Sequence, residues 1–152
     1  MVSAASAHGA QTTPTAAIQL PKTSESEQLL RIRHSMSHVM AMAVQRLFPK
    51  AQVTIGPWTE SGFYYDFDSP DPFTEADLKA IKKEMIKIIN QKLPLERLEV
   101  SRAEAEAKIK ANNEPYKLEI LAGISEPITL YTLGSEWWDL CAGPHVANTS
   151  EL

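Results

Sequence analysis

Two short motifs, far apart in the chain, put the strongest constraint on its fold. His34 and His38 are four residues apart in one motif, and Cys141 and His145 are four apart in the other. On a helix, positions i and i+4 lie on one face, so the two histidines can point at one spot. Three of the four histidines and the single cysteine thus fall in two compact motifs. We interpret them as one site, which the fold must assemble from both ends of the chain.

Length and composition indicate a globular domain. The chain has 152 residues, of which 43% are hydrophobic and 22% charged, and this is enough for a core of its own. A single cysteine excludes an internal disulfide and suits a reducing compartment. No apolar run approaches the roughly 20 residues of a membrane helix. The net charge of −4 argues against broad binding to a nucleic-acid backbone and leaves a limited contact with one RNA end open.

The chain divides into a polar leader and one domain. Residues 1–27 are rich in Ala, Ser, Thr, Gln and Pro and contain no aromatic residue, which predicts disorder. This leader lacks the arginines of an organelle transit peptide and the apolar core of a secretory signal. Residues 28–152 form the predicted domain. Because His145 lies so near the end, we expect a fragment of a longer chain.

The hydrophobic pattern predicts a long N-terminal helix. Apolar residues recur at helical spacing over residues 26–48, and Pro49 ends the run. His34 and His38 lie in its first half, beside the apolar stripe and not opposite it. We therefore expect both imidazoles to be partly buried and to face another element of the fold.

Capping signals predict three more helices. Thr74 begins one that runs to about residue 92, and Ser101 begins a second that runs to about residue 111. Pro115 and Gly123 enclose a third over residues 116–121. The apolar stripe expected on the first of these three helices consists of Leu78, Ile81, Met85, Ile88 and Ile89.

Two pairs of β-rich runs predict antiparallel hairpins, at residues 53–67 and 127–140. A further strand is expected over residues 95–100. Gly56 and Pro57 should interrupt the first hairpin, which would let a ligand approach the backbone. Because helices and hairpins alternate without a βαβ rhythm, we predict an α+β fold. Antiparallel sheets would pack with the long N-terminal helix and the further helices.

The motif residues allow two kinds of chemistry. Three imidazoles and a thiol make a plausible tetrahedral zinc set, although the Glu of the H-E-x-x-H metal helix is absent. Without a metal, an imidazole can act as a general base, and the thiol of Cys141 can act as a nucleophile activated by histidine. Asp139 shares a strand face with Cys141 and could bind a substrate ammonium group. The residues alone leave both interpretations open.

Five segments between residues 30 and 148, HSMSH, IGP, GFYYDF, EPYK and WDLCAGPH, resemble the editing domain of bacterial-type threonyl-tRNA synthetase. That domain is similar to the editing domains of alanyl-tRNA synthetase and its free-standing relatives, a fold known as the second additional domain. The paired HxxxH and CxxxH motifs are shared across the superfamily. The GFYYDF, YK and GPH elements point to the threonyl branch.

The resemblance implies a proofreading hydrolase that removes serine from tRNA(Thr) at the 3′-terminal adenosine. Serine lacks only the methyl group of threonine, and such a difference gives only ~10–200-fold discrimination by binding. A second, snug site that admits serine would supply the rest. The implied partners are the serine-charged 3′ end of tRNA(Thr) and the remaining synthetase domains, in a full-length enzyme that binds ATP elsewhere and forms a homodimer. No membrane is implied, and the location would be cytoplasmic or organellar, in the chloroplast stroma or mitochondrial matrix.

The resemblance also implies roles for particular residues. His34 would orient and deprotonate a water, and Lys117 would stabilise charge at the ester or position a second water. Composition alone would make Lys117 a solvated lysine. The catalytic group implied as a whole is His34, His38, Lys117, Cys141 and His145. The substrate-binding group implied is Gly56, Tyr65 and Asp139.

The two branches of the superfamily differ in whether they bind a metal. Alanyl-type relatives use the four ligands for zinc, whereas the threonyl branch edits by water without a metal, and we expect no metal here. If zinc is bound, its ligands would be His34, His38, Cys141 and His145. Two alternatives remain: a zinc-dependent alanyl-type trans-editing enzyme, and a non-catalytic RNA-binding module stabilised by zinc.

The sequence departs from the threonyl pattern in two places. A polar leader stands where a small β-rich domain usually precedes the editing domain, as in some cyanobacterial or plant organellar forms. Ala142 stands where a basic residue is frequent before GPH, which would weaken a local RNA contact. Neither departure touches the four-residue cluster.

Overall fold

The structure, a computed structural model, describes residues 27–152. The first described helix begins at Glu27, and the rest of the predicted leader lies outside the described residues. The helices are α1 Glu27–Leu47, α2 Glu75–Asn90, α3 Arg102–Ala111, α4 Pro115–Ala122 and a 3-10 turn at Thr149–Glu151. The strands are β1 Gln52–Val53, β2 Trp58–Thr59, β3 Gly62–Phe63, β4 Phe67–Asp68, β5 Leu95–Val100, β6 Ile128–Leu133 and β7 Trp137–Leu140. The α+β prediction is confirmed.

The N-terminal helix α1 carries the first motif into the core. Of its predicted apolar stripe, Leu30, Val39 and Ala43 are buried, whereas Leu47 at the end of the helix is 38% exposed. His38 lies on the buried side and His34 is partly buried at its edge. No helix within residues 27–152 combines the length and apolarity needed to cross a bilayer.

The first predicted hairpin is present but interrupted. Strand β1 pairs with β4, and β2 pairs with β3, both antiparallel, so that two short ladders share one hairpin. The interruption in the first arm falls at Gly56 and Pro57, as predicted, because proline has no N–H for the ladder. Inside the break, Tyr65 turns into the core while Tyr64 faces solvent.

The second sheet has three antiparallel strands in the order β5-β6-β7. Its register pairs Leu130 with Leu140 and Leu133 with Trp137, so β7 ends beside the middle of β6. Helices α3 and α4 pack a smaller apolar cluster around Ile109 and Leu121. The sheet thereby carries the segment after β7, which holds the second motif, toward α1.

Helices α2 and α3 begin at full capping boxes, at Thr74 with Asp77 and at Ser101 with Glu104. One detail of the predicted α2 stripe is wrong: Leu78 is 57% exposed, whereas Ile81 and Ile88 are buried. Leu78 lies in the first turn and about 60° around the helix from Ile81, so it falls at the margin of the face that packs on α1.

Candidate active site

The two motifs meet in one place. The ligand-type atoms of His34, His38, Cys141 and His145 all lie within 4.8 Å of one another. The imidazole rings stack or tilt on each other, with centroids 4.0 Å apart for His34 and His145. The fold therefore assembles from both ends of the chain the cluster that the spacing predicts.

A directed set of hydrogen bonds orients the rings. His34 Nδ1 lies 3.0 Å from the carbonyl oxygen of Pro144, which can only accept, so Nδ1 carries the proton and Nε2 has a free lone pair. On the other side, His145 Nδ1 lies 3.0 Å from Ser35 Oγ, and Ser35 Oγ accepts from the Val146 N–H. The two Nε2 atoms then face Cys141 Sγ, at 3.4 Å from His34 and 3.3 Å from His145.

Burial keeps these groups uncharged. It lowers the pKa of His34, against a smaller raising effect of the Pro144 carbonyl, and lowers that of His38 well below its usual value. Burial, with the neighbouring His34, lowers the pKa of His145 to about 2. Burial also raises the pKa of the Cys141 thiol to about 12, against the opposing effect of the Gly143 N–H. At neutral pH the imidazoles are therefore uncharged, each with one N–H, and the thiol is not a thiolate nucleophile.

The same four residues fit a zinc ion. In a tetrahedral site with bonds of about 2.0–2.3 Å, neighbouring ligand atoms lie about 3.3–3.8 Å apart. Both sulfur–nitrogen distances agree with this range, whereas the full set, within 4.8 Å, would have to contract around the ion. Ser35 and the Pro144 carbonyl hold the outer ring nitrogens, as the outer partners of zinc-bound histidines do. Part of the cofactor prediction is thus supported, because a group able to hold a metal is present. A zinc ion held by all four residues would contribute folding stability there.

A second buried cluster adjoins the histidines. The Tyr65 hydroxyl donates to Asp139 Oδ2 at 2.8 Å, and His38 Nε2 lies 3.6 Å from the same oxygen. Lys117 Nζ lies 3.6 Å from Asp139 Oδ1 and forms an ion pair with Glu114. Lys117 is 0% exposed. The lysine that composition alone would place in solvent is therefore enclosed beside the imidazoles.

The protonation of this cluster follows from its burial. Burial raises the pKa of Asp139, and the Lys117 ammonium opposes that rise. Burial, followed by the charge of Asp139, raises the pKa of Tyr65 far above its usual value, so Tyr65 stays a neutral donor. Both Asp139 oxygens already face a donor or a cation, and a substrate ammonium group would have to share them.

Gly56 lies against the ring of Tyr65. A Cβ atom added to Gly56 would come within 2.0 Å of Tyr65 Cδ2, closer than any side chain tolerates. Ser37 Oγ donates to the Gly56 carbonyl at 2.8 Å and ties this loop to α1. Gly56 therefore determines where Tyr65 sits, and Tyr65 in turn holds Asp139.

Sequence reasoning missed several residues of the site. Glu114 belongs to the EPYK segment, and its i, i+3 spacing to Lys117 is the signal that could have found it. Ser35 and Ser37 lie between the motif histidines, and nothing in their spacing marks them as hydrogen-bond partners. Trp137 packs on His38 with ring centroids 5.2 Å apart.

A cleft of about 300 Å³ adjoins the lysine cluster. Its lining includes none of the four motif residues. The lining residues are Met42, Gln45, Arg46, Asn112, Glu114, Glu136, Trp137 and Trp138. Glu114 and Trp137 therefore connect the cleft to the buried cluster.

Known proteins match this chain closely. The family described as "Threonyl and Alanyl tRNA synthetase second additional domain" matches residues 128–152. The chain is 81% identical over 139 residues to the threonine--tRNA ligase of Parasynechococcus marenigrum (strain WH8102), covering 91% of this chain and 23% of the relative. It is 76% identical over 151 residues to that of Synechococcus sp. (strain CC9902), covering 99% of this chain and 25% of the relative. The chain thus spans about a quarter of the length of these relatives.

The segment that matches the second additional domain of threonyl- and alanyl-tRNA synthetases, residues 128–152, carries Cys141 and His145, and the α+β fold joins it to α1 at the four-ligand cluster. Within that class, the chain is similar over 91–99% of its length to threonine--tRNA ligases, as the motifs predicted. The prediction of an enzyme domain agrees with the relatives, which are named as ligases. The individual site roles and the boundary after residue 27 stay predictions.

Proposed function

We propose that this domain hydrolyses the ester of serine mischarged to tRNA(Thr), as a part of a longer threonine--tRNA ligase. The observation that carries the proposal is the meeting of the neutral imidazole cluster with the buried pair of Lys117 and Asp139. Similarity to threonine--tRNA ligases supports the choice of tRNA(Thr). Partners would be the serine-charged 3′ end and the remaining synthetase domains, in a homodimer that is cytoplasmic or organellar.

His34 is best placed to activate the water. As a whole residue it is less buried than His38 and His145, so we expect a water to approach its ring most readily. Its Nδ1–H is committed to the Pro144 carbonyl, which leaves Nε2 to accept a proton. The thiol that faces Nε2 is a weak donor, so a water can displace it.

The hydrolysis then proceeds in two steps. The water oxygen attacks the ester carbonyl carbon while its proton passes to His34 Nε2. The carbon–oxygen bond to the ribose breaks, and the imidazolium returns the proton to the leaving 3′ oxygen, which gives serine and tRNA(Thr). The Lys117 ammonium would stabilise the developing oxyanion, and Asp139 would bind the ammonium group of serine.

The direct assay is deacylation of Ser-tRNA(Thr) and Thr-tRNA(Thr) by the same preparation. We expect the serine ester to be hydrolysed much faster than the threonine ester. His34→Ala should reduce the serine rate by about 10²–10⁴-fold, the usual contribution of a general base. His8→Ala, which changes a histidine outside both motifs, serves as the control. Equal rates on the two esters, or full activity in His34→Ala, would contradict the proposal.

A zinc-bound state is the second candidate, because the four donors fit zinc. Zinc held by all four residues would occupy the His34 Nε2 lone pair that the proposed hydrolysis needs. We therefore expect added Zn²⁺ to raise the melting temperature of the domain and to slow deacylation of Ser-tRNA(Thr). A chelator should restore the rate. A zinc-stabilised RNA-binding module predicts stoichiometric zinc in the purified protein and unfolding by the chelator.

A further inference from the structure

Glu114 is a buried carboxylate to which neither the motifs nor the proposed mechanism gives a role. It is 9% exposed and directly precedes α4. Its Oε2 forms an ion pair with Lys117 Nζ, and neither of these two buried atoms has another partner of hydrogen-bond geometry among residues 27–152. A buried carboxylate that is not paired is costly, so the pair accounts for the burial of both charges.

The conformation of Glu114 is unusual for its place in the chain. It occupies the N-cap position of α4, where a side-chain oxygen normally accepts from the first backbone N–H groups of the helix. The Glu114 side chain makes no such bond and turns inward to Lys117 instead. The carboxylate is therefore directed at Lys117 and not at the backbone of the helix.

The surroundings of Lys117 leave Glu114 as its closest ionic partner. The next carboxylate oxygen is Asp139 Oδ1 at 3.6 Å, and Asp139 is already shared with Tyr65 and His38. The remaining sides of the ammonium face the ring of Trp138, with Nζ 4.9 Å from its centroid, and the ring of Trp137. Without Glu114, the ammonium would have one shared carboxylate and two aromatic faces.

The other carboxylate oxygen of Glu114 faces Gln45, a residue that lines the cleft. Gln45 Nε2 lies 3.5 Å from Glu114 Oε1, and Gln45 Oε1 accepts from the Trp137 indole N–H at 2.7 Å. Gln45 belongs to α1, the helix that also carries the motif histidines. The Glu114 carboxylate thus lies between Gln45 of α1 and the Lys117 ammonium.

We propose that Glu114 is the positioning residue for Lys117, which keeps the ammonium beside Asp139 and the imidazole cluster during hydrolysis of the seryl ester. This inference rests on the proposed function of the same site. Glu114 itself does not touch the substrate; it acts through the place and the charge of the lysine.

The first test compares three variants of the full chain in steady-state deacylation of Ser-tRNA(Thr). Glu114→Gln keeps the shape and removes the charge, and we expect kcat to fall by about 10–100-fold with little change in KM. Glu114→Asp, which restores the charge, should recover part of that loss. Glu136→Gln is the matched control, because Glu136 lines the same cleft but pairs with Arg46 and should leave kcat unchanged. An undiminished kcat in folded Glu114→Gln overturns the inference and leaves the proposed function standing.

A double-mutant cycle separates positioning from a structural role. If Glu114 acts through Lys117, then Glu114→Gln combined with Lys117→Met should be no slower than Lys117→Met alone. Independent, multiplying losses would overturn the inference. Urea unfolding of each variant shows whether a lower rate is caused by a loss of folded protein. The rates are compared only for variants that are folded under the assay conditions.

A third measurement needs no tRNA. The Lys117 ammonium, enclosed from solvent, should give a protected signal in ¹H–¹⁵N NMR spectra of the lysine Nζ groups. We expect Glu114→Gln to shift or remove this signal and Glu136→Gln to leave it in place. An unchanged signal in Glu114→Gln overturns the inference. If the wild type shows no deacylation while the signal behaves as expected, the proposed function fails and the pairing of Glu114 with Lys117 remains.

Discussion

Single side chains in this site take their chemistry from burial. Cys141 shows this most clearly, because burial raises the pKa of its thiol to about 12 and the imidazoles that face it are neutral. A thiol beside a resting imidazolium would become a thiolate, but here the imidazoles of the resting site are neutral near pH 7. Cys141 therefore acts in the metal-free site as a hydrogen-bonding partner of His34 and His145.

The first prediction concerns the reactivity of Cys141. In the presence of a chelator at pH 7.5, iodoacetamide should alkylate the folded protein far more slowly than the unfolded protein, since only the thiolate reacts. Mass spectrometry of samples taken with and without urea measures both rates. Rapid stoichiometric alkylation of the folded protein would show that Cys141 is an activated nucleophile instead.

Residue patterns predicted the motif cluster but not the burial of Lys117. The i, i+4 spacing alone fixes the relation of His34 to His38, and it needs no knowledge of the rest of the chain. Lys117 is buried because the side of α4 that carries it packs against Trp137 and Trp138, which are distant in the sequence. Only the resemblance to a family identified Lys117 as a site residue, and that resemblance gave no role to Glu114.

At the scale of elements, the interrupted hairpin determines the shape of the pocket. Its break lets the Gly56 backbone approach the ring of Tyr65, and the Tyr65 hydroxyl then reaches Asp139 on β7. The sequence predicted the break, because Gly56 and Pro57 are poor ladder residues. It could not predict which partner fills the break, since that depends on how two short ladders twist against α1.

The second prediction tests this contact with a pair of glycines in one hairpin. Gly56→Ala should destabilise the protein by about 1–3 kcal/mol, because the new methyl overlaps the Tyr65 ring. Gly62→Ala should change stability by less than about 1 kcal/mol, since no atom lies within 4 Å of its added Cβ. Urea unfolding measures both changes. Equal stability of the two variants would show that Tyr65 moves away at no cost.

Displacing Tyr65 should also affect the chemistry. In Gly56→Ala the Tyr65 hydroxyl can no longer donate to Asp139 at its present position, so we expect a lower kcat for Ser-tRNA(Thr) than in Gly62→Ala. A rate in folded Gly56→Ala equal to that of the wild type would separate the packing role of Tyr65 from catalysis.

At the scale of the whole molecule, the fold encloses three neutral histidines, and this links its stability to pH. Burial lowers the pKa of His34, His38 and His145 below the usual value near 6.5. Below pH 6.5 the unfolded chain therefore binds protons that the folded chain does not, and the free energy of unfolding falls as pH falls. Asp139 works in the opposite direction, because its raised pKa lets the folded state hold a proton longer.

The third prediction follows from that sign. Between pH 7.5 and 5.5, in a buffer with chelator, the free energy of unfolding should fall by about 1.4 kcal/mol for each fully buried histidine. His38 and His145 should contribute nearly this much, and the partly buried His34 less. His8→Asn, which alters the histidine outside the described residues, should leave the slope unchanged. Because the loss is a large share of a typical total of about 5–15 kcal/mol, urea titrations resolve it. A flat profile over this range would mean that the folded protein takes up protons as readily as the unfolded chain, at the histidines or at Asp139, and would contradict this prediction.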